Sequence, residues 1–272
     1  MDVFAIKKGE GFELSVDEFE RQTSHEYPYY RQKKDKKLTL YAICPECGNP
    51  IQIINLYGAE MIQNKTHIVK MYGKHTGGAV SGFPYWNEIE KKNCSLYKPS
   101  PLGNTEIRTK TKVSEEIRII IENNWSRIKQ NIRSIVGINI SNKVLEHMKE
   151  VFMASNAYSY KAVNKYNIPY AMLRYQEAIT IYKTFLFGSQ ISEIVKEKIN
   201  TYSKYFTIKD KEIEKKEGYT DFYNIGIYLT KNQRRDAKQY IHMVIYEADV
   251  SGKDGKHIIL EEELEMKPWI YS

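Results

Sequence analysis

The chain has 272 residues, 42% hydrophobic and 28% charged, which allows one large domain or two small ones, each with a packed core. Its net charge of +7 makes a polyanionic partner, usually nucleic acid, an electrostatic expectation, although the Lys-, Ile-, Asn- and Tyr-rich composition of an AT-rich genome would give the same excess. No window approaches the ~18 apolar residues of a membrane helix. The opening Met1–Lys8 lacks signal-peptide architecture, and cysteines are few, so a reducing cytoplasm and no membrane partner are expected.

Residues 1–36 read as a lead-in. Val3–Ile6 and Phe12–Leu14 form a small hairpin with Gly9 and Gly11 in its turn, and Ser15 caps a short helix through Phe19. Tyr27, Tyr29 and Tyr30 precede a basic run containing Lys33, Lys34, Lys36 and Lys37. Aromatics beside lysines suit bases and phosphates, and equally suit a solvated loop entering a strand.

The next module, 37–105, holds all three cysteines of the chain. Leu38–Ile43 alternates as a strand, and Cys44-Pro45-Glu46-Cys47-Gly48 follows it. A CxxC spacing lets two thiolates face one ion, and the glycine lets the chain turn back beneath it. Ile51–Leu56 is the return strand and Thr66–Met71 a third. Zinc takes four N or S ligands, so Cys94 supplies a third thiolate and a histidine the fourth. His75, in the glycine-rich turn Tyr72–Gly78, is preferred to His67, in an apolar strand-like run. A redox CxxC disulfide would open a helix, whereas Gly48, Asn49 and Pro50 lead here into a strand. A closed Cys3His shell leaves no position for substrate, so the Zn2+ is expected to be structural. Phe83–Trp86 is expected to pack over the site, and Lys74 beside it to contact phosphate.

A boundary is expected near 100–112, followed by a domain over 113–272. Ser114 caps a helix that runs to a C-cap at Gly137, with Arg127, Lys129 and Arg133 on its solvated side. Ser141 caps a second helix. Pro169 begins a longer helix extending to Gly188, and Ser189 or Ser192 opens another. Lys209–Gly218 reads as a charged helix or loop. Phe222–Leu229, Tyr240–Ala248 and His257–Leu264 read as strands, with Arg234 and Arg235 in a loop able to bind phosphate and Ser251–Gly255 as a hairpin connection. The fold class is therefore α+β: a β-rich N-terminal zinc module, a helical middle and a small C-terminal antiparallel sheet.

The CPxCG, His and distant Cys pattern resembles zinc-ribbon and zinc-knuckle modules, and is similar to uncharacterised bacterial proteins of mobile-element or phage-conflict type. The string Lys161–Tyr175, within 158–176, resembles the helix-turn-helix of recombinase-like and pipsqueak-type DNA-binding proteins. By that resemblance Tyr170 and Arg174, with Gln176 as a further candidate, would face the major groove. A helical bundle with a proline-started core helix fits the same string. No Walker loop, GxGxxG, HExxH, GxSxG or EF-hand loop is present, which weighs against an enzyme. The expected function is zinc-stabilised binding of nucleic acid, DNA ahead of RNA. The alternatives are a protein-interaction component or inhibitor in a defence or mobile-element system, and an enzyme on nucleic acid or nucleotides whose site is assembled from scattered residues.

Overall fold

The alternating and helical stretches of the sequence fold into an α+β protein, seen in a computed structural model that describes residues 1–32, 38–58, 70–109, 111–219, 222–235, 238–249 and 255–271. Two compact units result. One comprises Met1–Ser100, Arg234–Gln239 and Lys267–Ser272; the other comprises Pro101–Gln233 and Tyr240–Met266.

In the first unit, β1 (Val3–Phe4) pairs antiparallel with β2 (Phe12–Glu13). Helix α1 (Val16–Thr23) follows, its Ser15 side chain accepting from the Glu18 amide at 3.2 Å as an N-cap should. A four-stranded antiparallel sheet runs in the order β3 (Tyr30–Gln32), β4 (Leu38–Ile43), β5 (Pro50–Ile54), β6 (Tyr72–His75). The period-2 pattern places Leu40 and Ala42 opposite Ile53 and Ile51, all buried. Phe4 and Phe19, with rings 5.2 Å apart, fill the same core as Cys44, Cys47 and Cys94, so residues expected to be a lead-in help enclose the cysteines. Each buried ring contributes roughly 1.5–3 kcal/mol.

His75 lies on β6, paired with Ile51, and not on a glycine turn; the turn proper begins at Thr76. His67 and most of the expected Thr66–Met71 strand lie outside the described residues, as do Lys33, Lys34, Lys36, Lys37 and the 250–254 connection.

The rest of the chain differs from expectation in several places. The helix expected from Ser114 to Gly137 is two helices, α3 (Thr111–Asn123) and α4 (Trp125–Val136), broken at Asn124, whose side chain donates to the Ile120 carbonyl in competition with the helix ladder. Ser114 is buried inside α3 and does not cap it. On α4, Arg133 is only 8% exposed, because its guanidinium donates to the Ile140 carbonyl (3.0 Å) and to Asn142 Oδ1 (2.9 Å), holding the chain after the helix. Ser141 does cap α5 (Asn142–Ala154).

The proline-started helix stops early. Helix α6 (Ile168–Arg174) spans seven residues, and β-branched Ile179–Thr180 forms strand β7 against Gly226 and Ile227. Helix α7 (Gln190–Tyr202) is entered through Ser189, whose amide donates to Ser192 Oγ at 3.0 Å. The charged stretch after it is a hairpin, β8 (Phe206–Lys209) and β9 (Glu212–Lys215), with Asp210 and Lys211 at positive φ in the turn and Ile208 and Ile213 buried. Finally β10 (Tyr223–Arg235), β11 (Lys238–Asp249) and β12 (Lys256–Glu265) complete an antiparallel sheet ordered β12-β11-β10-β7. Arg234 and Arg235 end β10 and are not in a loop.

Gly137 is the C-cap of α4, at φ +72°, and a Cβ there would meet the Ser192 amide nitrogen at 2.8 Å. Backbone cannot yield as a side-chain tip can. Gly137→Ala is therefore expected to cost about 1–3 kcal/mol, read as a lower urea midpoint at unchanged slope; an unchanged midpoint would contradict the close approach. No helix among the described residues is long and apolar enough to cross a membrane.

Candidate metal centre and adjoining cleft

The end of β4 delivers Cys44, and the chain turns at once. The Gly48 amide donates to the Cys44 carbonyl at 2.9 Å and the Cys44 amide to the Asn49 carbonyl at 2.8 Å. Gly48, at φ +75°, makes that reversal possible. Cys47 is thereby placed beside Cys44, while β6, paired with the return strand β5, presents His75. Helix α2 (Glu88–Lys92) brings up Cys94, whose amide donates to the Lys91 carbonyl at 3.1 Å.

The four ligand atoms of Cys44, Cys47, His75 and Cys94 lie within 4.8 Å of one another, and all four residues are buried. Cys44 Sγ is 3.6 Å from Cys94 Sγ, and Cys47 Sγ is 3.3 Å from His75 Nε2. Two sulfurs bonded to one tetrahedral ion at ~2.3 Å stand about 3.8 Å apart, so the spacing suits a metal ion. Burial pushes the Cys44 thiol up, the adjacent sulfurs push Cys94 up, and Cys47 is drawn down because its neighbours donate to it. Three ionised sulfurs this close repel strongly, and a divalent cation between them removes that repulsion.

Three polar contacts carry Cys94 to the other ligands, and none was singled out in the sequence. Asn49 exchanges two hydrogen bonds with the Asn87 backbone, at 3.1 and 2.7 Å. Glu46 accepts from the Ser95 amide at 2.7 Å and from the Ser95 hydroxyl. Lys91 Nζ donates to the Thr76 carbonyl at 3.2 Å. Such partners fix ligand orientation. Glu46 and Asn49 do sit within and directly after the knuckle string, which was the available signal. Phe83 packs edge-on to Tyr29, and Trp86 lies under the Lys91 ammonium at 5.7 Å.

Beside the cluster opens a cleft of about 790 Å³. Tyr72, Lys74 and His75 of β6 line it, with Lys91, Tyr97, Lys98 and Arg234. Lys74, Lys98 and Arg234 are exposed, and among the described residues no carboxylate pairs with them. Two cations chosen separately in the sequence, 160 positions apart, thus converge here. Arg235 is exposed next to Arg234.

The other expected contact residues are placed differently. Tyr170 is only 4% exposed, and every α6 residue from Ile168 to Leu173 is buried. Arg174 is half-buried, its guanidinium against Gly103. A recognition helix must offer its surface to a groove; α6 is a core helix and does not present Tyr170 and Arg174 for base reading. No family model, curated protein or solved structure matches the chain. The helix-turn-helix and mobile-element likenesses thus rest on the sequence strings alone.

Proposed function

We propose that the protein is a zinc-stabilised nucleic-acid-binding protein. The observation that supports this most is the convergence of Lys74, Lys91, Lys98 and Arg234 on one cleft beside the Cys3His cluster. Zinc is the metal favoured by three thiolates and an imidazole in a tetrahedron, and four protein ligands leave it a structural role. Three of these cations, Lys74, Lys98 and Arg234, have no carboxylate partner among the described residues, while Lys91 is paired with Glu88; the three suit a chain of phosphates. The preference for DNA over RNA rested on an exposed recognition helix. With α6 buried, the two polymers stand level.

The test is fluorescence anisotropy with labelled DNA and RNA between ~50 and ~200 mM salt, comparing the native protein with a Lys74→Ala/Arg234→Ala double variant. Each lost phosphate contact should lower the salt slope by about 0.7–0.9, so the double variant should flatten it by roughly 1.4–1.8 and weaken binding about 10-fold or more at low salt. A flat salt response of the native protein would end this reading. Co-purification of a partner that survives nuclease treatment would move it to the protein-interaction alternative.

A further inference from the structure

We infer that the cleft beside the metal cluster is a site for single-stranded nucleic acid, an inference that rests on the nucleic-acid reading above. The first ground is the position of Lys91. Only 5% of this residue is exposed, yet it lines the cleft, its ammonium held by the Thr76 carbonyl at 3.2 Å and by Glu88 at 3.4 Å, and lying over Tyr97 at 5.3 Å. A duplex carries its phosphates on its convex outer surface and turns its base edges into the grooves. It can touch Lys74, Lys98 and Arg234 at the rim but cannot reach a recessed ammonium. A flexible single strand can.

The second ground is the alternation of β6. Tyr72 and Lys74 stand two residues apart on the edge strand of the sheet, so they share a face. Tyr72 is half-buried and, among the described residues, has no ring or cation stacked on it. Tyr97, by contrast, already has Lys91 and Lys98 over it. Tyr72 is thus the ring open to an unstacked base, while Lys74 takes the adjoining phosphate. An aromatic platform flanked by cations is the arrangement that holds single strands without reading sequence. Paired bases would leave Tyr72 unused.

The experiment measures binding of the zinc-loaded full chain to a labelled 12-nucleotide oligothymidine, a mixed-sequence single strand, and the duplex of that mixed sequence. Single strands are expected to bind about 10-fold or more tightly than the duplex. Stacking is worth about 5- to 150-fold per base, so Tyr72→Ala should lower single-strand affinity by at least about 5-fold and leave duplex binding unchanged. Tyr72→Phe, which keeps the ring, should restore it, and unchanged zinc content in both variants would show that the module is intact. Equal or tighter duplex binding overturns this inference and leaves the nucleic-acid reading standing. So does a Tyr72→Ala variant indistinguishable from native while the Lys74→Ala/Arg234→Ala variant loses affinity. Failure of every oligonucleotide to bind overturns the nucleic-acid reading itself.

Discussion

Replacing Cys94 with Ser is expected to release the metal and unfold the first unit while the second stays folded. A serine oxygen is a poor partner for an ion that the other two thiolates and the imidazole select, so the shell opens. The thermodynamic weight is large. Structural zinc contributes an apparent ~10–16 kcal/mol at neutral pH in zinc-finger peptides, against a total stability of ~5–15 kcal/mol for a typical domain. Without the ion, the buried sulfurs of Cys44 and Cys47 sit in the same core as Phe4, Phe19 and Ile51 with their charge uncompensated or their protons unshared. Helix α2, five residues long, has too few turns to persist alone once its link to the cluster goes. A colorimetric zinc assay should fall from about one ion per chain to none, and limited proteolysis should cut before residue 100 while sparing 111–219. Undiminished zinc in the variant, or cleavage spread evenly over both units, would be incompatible with a Cys94 ligand.

Legibility in the sequence followed the range of the interactions. The knuckle was readable because its chemistry is local: two thiols, a proline and a glycine within five residues fix the turn whatever surrounds it. His75 was preferred to His67 because Gly73 and Gly77–Gly78 make its string look like a turn; it does join the cluster, but from a strand, since the pairing with Ile51 is a tertiary fact. Lys91 and Lys98 have no local signature as lysines near a metal motif, and acquire meaning only when Lys74 and Arg234 arrive from strands β6 and β10. The β8–β9 hairpin was hidden by its charges. Within the charged stretch itself only Ile213 is buried, with Phe206 and Ile208 just before it, and one apolar residue cannot outweigh a run of Lys and Glu in a periodicity reading. The reverse error befell residues 175–188, where abundant apolar side chains suggested helix although Ile179, Thr180 and Ile181 are β-branched.

The second large effect is expected in the other unit, from Glu247→Ala. Glu247 stands on β11 with none of its surface exposed. Its carboxylate accepts from Ser203 Oγ at 2.5 Å, from the Lys204 amide at 2.8 Å and from the Tyr205 amide at 3.3 Å, and lies 2.8 Å from His257 Nδ1 on β12. Ser203 in turn accepts the Phe206 amide at 2.8 Å, and its carbonyl accepts Lys216 Nζ at 2.6 Å. One side chain therefore ties the end of α7 and the start of β8 to the sheet. Alanine would strand a buried hydroxyl and two amides as well as open a void. Each unsatisfied buried donor costs ~1–3 kcal/mol, and partial relaxation brings the expected total to about 3 kcal/mol, or roughly 6–12 °C in a unit of this size. The two amides donate to different oxygens of Glu247, so Glu247→Gln keeps an acceptor for only one of them and should lose about 1–2 kcal/mol, less than alanine. Hydrogen exchange should accelerate over 203–216 in the alanine variant, with zinc content and exchange across 38–58 unchanged. A melting temperature within about a degree of native would mean that the network organises these elements without stabilising them, as some buried charged groups do.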